Sequence, residues 1–246
     1  MANQKKVWII GGSTGFGASI SNFYISQGWN VLISSTNENK LINFLKKTTP
    51  IHKHQLLNYK VLDLCNEESI SKILNEVLQD CPIDLLIITS AISNAHSNKY
   101  PMLQEKISVF NKYIKTNSIG NWLVIRNLFP KITLLQKSLK IILFTSRAGW
   151  ASTNHFGFYN ISKSLLHHLI LNLHTEIIEK FSNFFCPITI LEPDEALSEM
   201  NKGSLVNPNT IVPIIKHIVK NHNENRVSFI NKQGNYLNFL DTRGVF

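Results

Sequence analysis

No apolar run in this 246-residue chain reaches the roughly eighteen residues that a bilayer-spanning helix needs, so a membrane-embedded architecture is not expected. Cysteine is scarce: Cys65, Cys81 and Cys186 are odd in number, far apart and form no CxxC, which argues against a disulfide framework or a zinc site and for ordinary buried thiols. Acidic residues are outnumbered, 16 against 25 Lys and Arg, for a formal charge of +9. The lysines are scattered rather than gathered into a tract, so neither a nucleic-acid nor a membrane partner is expected. Residues 1–6 run straight into an apolar stretch with no cleavage site of small residues, and a soluble, cytoplasmic protein is the expectation.

Hydrophobic residues make up 43% of the chain and charged residues 17%, a balance that folds. Linkers, internal repeats and low-complexity segments are lacking, so residues 1–246 are read as a single domain. Strand and helix signals alternate along it. Short apolar runs at Val7–Ile10, Val31–Ile33, Val61–Leu62, Leu85–Ile88, Ile141–Phe144, Ile188–Leu191 and Val227–Ile230 read as strands. Ser19–Gln27, Lys40–Lys47, Ile70–Leu78, Gln104–Phe129, Tyr159–Phe181 and Ile211–Lys220 carry the spacing of helices, with Pro82 closing the third. Repeated strand-helix-strand units joined by right-handed crossovers give an α/β fold, a doubly wound parallel sheet of Rossmann-like type in three α/β/α layers.

Gly11-Gly12-Ser13-Thr14-Gly15-Phe16-Gly17 follows the first strand and leads into the first helix. Glycines there permit a tight turn and close backbone approach, and a helix N-terminus offers free amides and a positive dipole to a pyrophosphate. Further on, Tyr159 and Lys163 lie four residues apart at the start of a helix, hence on one face. An ammonium there brings a phenol, which ordinarily titrates near pH ~10, toward working pH and makes it a general acid and base.

The spacing of Gly11, Gly15 and Gly17 resembles the cofactor turn of the short-chain dehydrogenase/reductase family, and the resemblance extends from Val7 to about Ile230. It implies an enzyme that passes a hydride between NADP or NAD and a carbonyl or alcohol carbon while Tyr159 handles the proton. Ser146, with 159 − 146 = 13, matches the family serine that binds the substrate oxygen. Asn117 matches the helix asparagine that holds a proton-relay water, and Lys163 would also bond the nicotinamide ribose. Ser13, Thr14 and Phe16 would line the phosphate turn, Asp63 and Leu64 the adenine. Asp63 reads almost as well as a turn or helix cap. Ser90, Ala91, Pro193 and Ser198 would complete the cofactor contacts, and a homodimer or homotetramer is the family norm.

Three departures from the family pattern stand out. Thr89-Ser90-Ala91 replaces its Asn-Asn-Ala-Gly turn, and Pro193-Asp194 its Pro-Gly. The acids Asp194, Glu195 and Glu199 then enter the substrate segment, about residues 194–208. At the end of the second strand Ser35 and Thr36 leave no carboxylate to repel a 2′-phosphate, so NADP is favoured over NAD, although Thr14 stands where NADP enzymes often carry a basic residue. The histidines at 52, 54, 167, 168 and 174 are read as surface or core residues, and no metal is expected. Two other readings remain: a redox-sensing regulator that binds a dinucleotide without turnover, and a reductase of acyl groups on an acidic carrier protein.

Overall fold

The computed structural model describes residues 4–80, 83–93, 101–134, 138–152, 156–181, 183–193 and 203–237. Seven strands form one sheet: β1 (Lys6–Ile10), β2 (Asn30–Ser35), β3 (Leu57–Val61), β4 (Leu85–Ile88), β5 (Lys140–Phe144), β6 (Ile188–Leu191) and β7 (Val227–Ile230). They run parallel in the order β3-β2-β1-β4-β5-β6-β7. The order reverses direction between β1 and β4, the point where open parallel sheets leave a crevice at their carboxyl ends.

Alternate residues of each strand feed two cores, as the two-residue period of a strand demands. Trp8, Ile10, Leu86, Ile88, Ile141, Leu143, Ile188 and Ile190 pack under α3 (Glu67–Asp80), α6 (Gly120–Leu134) and α7 (Gly157–Lys180). Val7, Ile9, Ile33, Leu85, Ile87, Ile142 and Phe144 face the other way, under α1 (Gly15–Ser26), α2 (Glu38–Lys46) and α8 (Ile211–Asn221). The doubly wound α/β sheet with a helical layer on each face is as the sequence predicts.

Two element boundaries differ from the sequence reading. The third strand lies earlier, at Leu57–Val61, because it is an edge strand with no fully buried residue and polar Asn58 and Lys60 at alternate positions, and so lacks the continuous apolar run that marks the central ones. The long helix expected over 104–129 is divided: a short α4 (Pro101–Gln104), then α5 (Ile107–Ile114), a π-helical turn at Lys115–Ile119, and α6. That π turn, a feature often found at functional sites, carries Asn117. Of the cysteines, Cys186 is buried as expected, whereas Cys65 is only half-buried against Thr116 Oγ1; Cys81 and Pro82 lie outside the described residues. Among the described residues no helix is long and apolar enough to cross a membrane.

Candidate active site

The residues singled out in the sequence come from the carboxyl ends of four neighbouring strands. Gly11–Gly17 follow β1, Thr89–Ala91 follow β4, Ser146 follows β5 and Pro193 follows β6. Gly11 adopts φ +89° and Gly15 φ +50°. A Cβ on Gly11 would fall 2.6 Å from Thr89 Oγ1, and one on Gly17 would overlap the Gly11 carbonyl oxygen. Only glycine lets the turn fold this tightly against the first helical turn.

Thr14 caps α1 in extended conformation, yet its side chain makes no capping bond, and the first turn holds no acid. The first-turn amides of α1 are therefore left without a side-chain acceptor at the positive end of the helix dipole, as an anion requires. Ser13 and Phe16 are half-buried beside them, and Phe16 packs on Phe144 with ring centroids 5.8 Å apart. Thr89 Oγ1 donates to the carbonyls of Ile10 and Gly11, both at 3.2 Å, so this hydroxyl ties the glycine turn to β4. Ser90 Oγ is buried with no hydrogen-bond partner, and Ala91 is half-buried next to it. A cradle closed to any side chain, uncapped amides and an orphaned hydroxyl together fit a bound dinucleotide.

At the outer edge, Ser35 Oγ accepts from Asn37 N at 3.2 Å and Thr36 is exposed. Asp63 is exposed and its carboxylate accepts from Cys65 N at 2.8 Å, which is the turn-capping role, while Leu64 is buried. Pro193 is half-buried at the end of β6, and Ser198, with Asp194, Glu195 and Glu199, lies outside the described residues.

The second group is held by α7. Tyr159 is 8% exposed and Lys163 1%, and Lys163 Nζ sits 5.6 Å from the Tyr159 ring centroid. Lys163 Nζ donates to the carbonyl of Phe144 at 3.1 Å, so the ammonium is anchored to the last residue of β5, two before Ser146. Burial pulls the Lys163 ammonium down from its ordinary value of 10.5 to about 8. Ser146 caps the 3-10 turn Arg147–Gly149, its hydroxyl accepting from Ala148 N at 3.2 Å. Around Tyr159 lie Tyr113, Ala148, Ile92, Val109, Phe156 and Phe158, an apolar and aromatic surround.

Asn117 is fully buried and spends its amide on structure. Its Oδ1 accepts from Ile92 N at 2.9 Å, and its Nδ2 donates to Ile92 O at 3.0 Å and Ser162 Oγ at 3.1 Å. It thereby joins the turn after β4 to the face of α7 that carries Lys163. Asn121 Nδ2 in turn donates to the Asn117 carbonyl at 2.9 Å. Sequence reasoning missed the roles of Asn121, Ser162 and the Thr145 and His167 pair, which bond at 2.5 Å, because each depends on partners from another element. Thr89 carried a readable signal: a hydroxyl at the end of a strand facing a glycine turn. Among the described residues no group of three His, Cys, Asp or Glu is placed to hold a metal ion.

The short chain dehydrogenase family model matches residues 5–201. An uncharacterized oxidoreductase of Saccharomyces cerevisiae is 29% identical over 179 residues, covering 69% of this chain and 68% of its own. A very-long-chain 3-oxoacyl-CoA reductase of Pyricularia oryzae is 25% identical over 180 residues, covering 71% and 53%. Among solved structures, a short chain dehydrogenase from Shigella flexneri complexed with NADP superposes with a TM-score of 0.78 at 17% identity, covering 94% of this chain and 98% of its own. An alcohol dehydrogenase from Thermococcus sibiricus complexed with 5-hydroxy-NADP gives 0.74 at 14% identity, covering 96% and 100%. Those two likenesses carry the fold, and the family match carries the rest: this chain belongs to the short chain dehydrogenase family of oxidoreductases.

Proposed function

We propose that the protein reduces a carbonyl to an alcohol, or oxidises the alcohol, with Tyr159 as the proton-transfer group, and that residues 1–246 form one domain whose substrate segment is about 194–208. The observation that carries this reading is the buried ammonium of Lys163, 5.6 Å from the Tyr159 ring and tethered to Phe144 O. A positive charge held in a low-dielectric setting beside a phenol favours the phenolate, so Tyr159 can both donate its O–H proton to a nascent alkoxide and take one from an alcohol. Ser146 would donate a hydrogen bond to the substrate oxygen as charge develops there. Asn117, bonded to Ile92 and Ser162, holds α7 and the turn after β4 in register.

NADP or NAD would be held by Gly11, Ser13, Thr14, Gly15, Phe16 and Gly17 at the phosphates, Ser35 and Thr36 at the adenosine ribose, and Asp63 and Leu64 at the adenine. Ser90, Ala91, Pro193 and Ser198 would line its remaining length, with Tyr159 and Lys163 at the nicotinamide end. When bound it supplies or accepts the hydride. The absence of a carboxylate at Ser35 and Thr36, and the NADP and 5-hydroxy-NADP in the two similar solved structures, favour NADP. The apolar surround of Tyr159 favours a hydrophobic carbonyl compound over an ionic one.

The test is hydride transfer across a panel of apolar aldehydes and ketones. Tyr159→Phe should lose about 100- to 10,000-fold in kcat, the usual worth of a positioned acid/base group, and equal rates in the two proteins sink the assignment. Thermal shift with NADP and NAD in parallel checks the preference; a larger shift with NAD reverses it.

A further inference from the structure

Ser146 and Tyr159 belong to different elements, the end of β5 and the start of α7, so their separation depends on how the turn after β5 is docked onto the helix. Three contacts from α7 residues at or beyond Ser164 do this. Ser164 Oγ donates to Gly149 O at 2.7 Å. His167 Nε2 bonds Thr145 Oγ1, the residue immediately before Ser146, at 2.5 Å. Trp150 stacks on the His167 ring, centroids 4.3 Å apart and planes 28° from parallel. A Cβ on Gly149 would collide with His167 Cε1, so the backbone of the turn rests directly on the imidazole edge. Phe229 of β7 meets both rings edge-on, at 5.4 Å and 5.2 Å.

His167 is 1% exposed and Thr145 4%, so this hydrogen bond is made in the interior, where losing one partner strands the other. Burial, then the neighbouring Lys163 charge, then His168 hold the imidazole well below its ordinary range, at about 3. A neutral ring can therefore sit one helical turn beyond Lys163 without adding a second positive charge behind it. Trp150 Nε1 also donates to Glu192 Oε2 at 2.8 Å, so the same turn is tied to the residue that follows β6.

We infer that His167 is a positioning residue: through its bond to Thr145 and its packing under Gly149 and Trp150, it sets the distance of Ser146 from Tyr159 and Lys163. Because α7 bears Tyr159, Lys163 and His167 together, one helix establishes both the proton-transfer group and the placement of the group that holds the substrate oxygen. The inference rests on the proposed carbonyl chemistry for its kinetic consequence, but its structural half does not.

The experiment compares wild type with Thr145→Val, His167→Leu, the double variant and His167→Gln. Steady-state rates are read with NADPH and the best carbonyl of the panel, and hydrogen exchange is followed at residues 146–151. Thr145→Val keeps shape and removes only the hydroxyl, so it stays informative if His167→Leu fails to fold. Thr145→Val and His167→Leu should each lower kcat about tenfold or more while leaving KM for NADPH within about twofold, since displacement of about 1 Å is enough for such a loss. The double variant should be no slower than the worse single, because both remove one interaction, and His167→Gln should recover most of kcat. Exchange at 146–151 should quicken in Thr145→Val while residues 11–17 stay unchanged. Unchanged exchange in the turn, rates of Thr145→Val or His167→Leu within about twofold of wild type, or multiplicative losses in the double variant each overturn the inference. Full activity in Tyr159→Phe would instead overturn the proposed function, and the exchange rates at 146–151 would still decide whether His167 pins the turn.

Discussion

The two halves of the candidate site are built by opposite means. The turn after β1 is made of missing side chains: Gly11 and Gly17 close on backbone and on Thr89, leaving no room for a Cβ. The contact between α7 and the π turn is made of side chains that are present, polar and buried: Ser162, Lys163 and His167 from α7, Asn117 and Ser118 from the π turn. Ser118 Oγ bonds the Ser162 carbonyl at 2.5 Å, and Ser162 Oγ donates to Tyr159 O at 2.7 Å, so the polar groups on this face satisfy one another across α7 and the π turn. A cradle of glycines suits a charged visitor because no side chain caps its helix amides. A bed of buried polar side chains sets a geometry, because each group displaced leaves another unpaired.

This contrast is broken or sharpened by four further substitutions. Gly17→Ala should have the largest effect: its methyl meets backbone rather than a yielding side chain, so stability should fall by roughly 3 kcal/mol and the thermal shift with NADP should vanish. A normal shift would show that the cradle has slack. Lys163→Met should act oppositely on stability. The folded value of about 8 lies below the ordinary 10.5, so the buried ammonium opposes folding at every pH below about 8, and that cost is relieved as pH rises toward 10.5. The variant should thus melt higher than wild type at pH 7, by an amount equivalent to about 2–3 kcal/mol, with the advantage fading between pH 8 and 10.5 while activity is lost. A pH-independent difference in melting temperature would contradict it.

Asn117→Leu leaves Ile92 N, Ile92 O and Ser162 Oγ short of a partner, and denaturant titration should register a loss of about 1–3 kcal/mol. A neutral result would mean that water replaces the amide freely. Smallest of all, Thr14→Ala should change stability by no more than a few tenths of a kcal/mol, well under the ~1 kcal/mol of a working N-cap, because the Thr14 side chain makes no capping bond. A full capping loss in chemical denaturation would show that Thr14 does bond the α1 amides.

Legibility followed the same divide. The glycine spacing and the Tyr159 and Lys163 pair were readable because both are local: one needs four residues of turn, the other a single helical turn. Central strands such as Leu85–Ile88 were readable to the residue, being apolar on both faces, whereas edge strand β3, with its polar alternate positions, was caught only at its end. The π turn at Lys115–Ile119 had no sequence mark, since its residues read as continuous helix. His167 was read correctly as one of the surface or core histidines, but its partner Thr145 lies 22 residues away on another element.

What the order of residues settled alone was the alternation of strand and helix, the place of the glycine turn and the ammonium one turn from a phenol, all of which short-range sterics and helical period enforce. What only the packed molecule decided was which buried polar groups find each other: Thr89 with the glycine turn, Asn117 with Ile92, Lys163 with Phe144, His167 with Thr145. Such pairings exist because interior donors and acceptors must be satisfied, and which ones meet is set by sheet order and helix docking, long-range properties that no local pattern encodes.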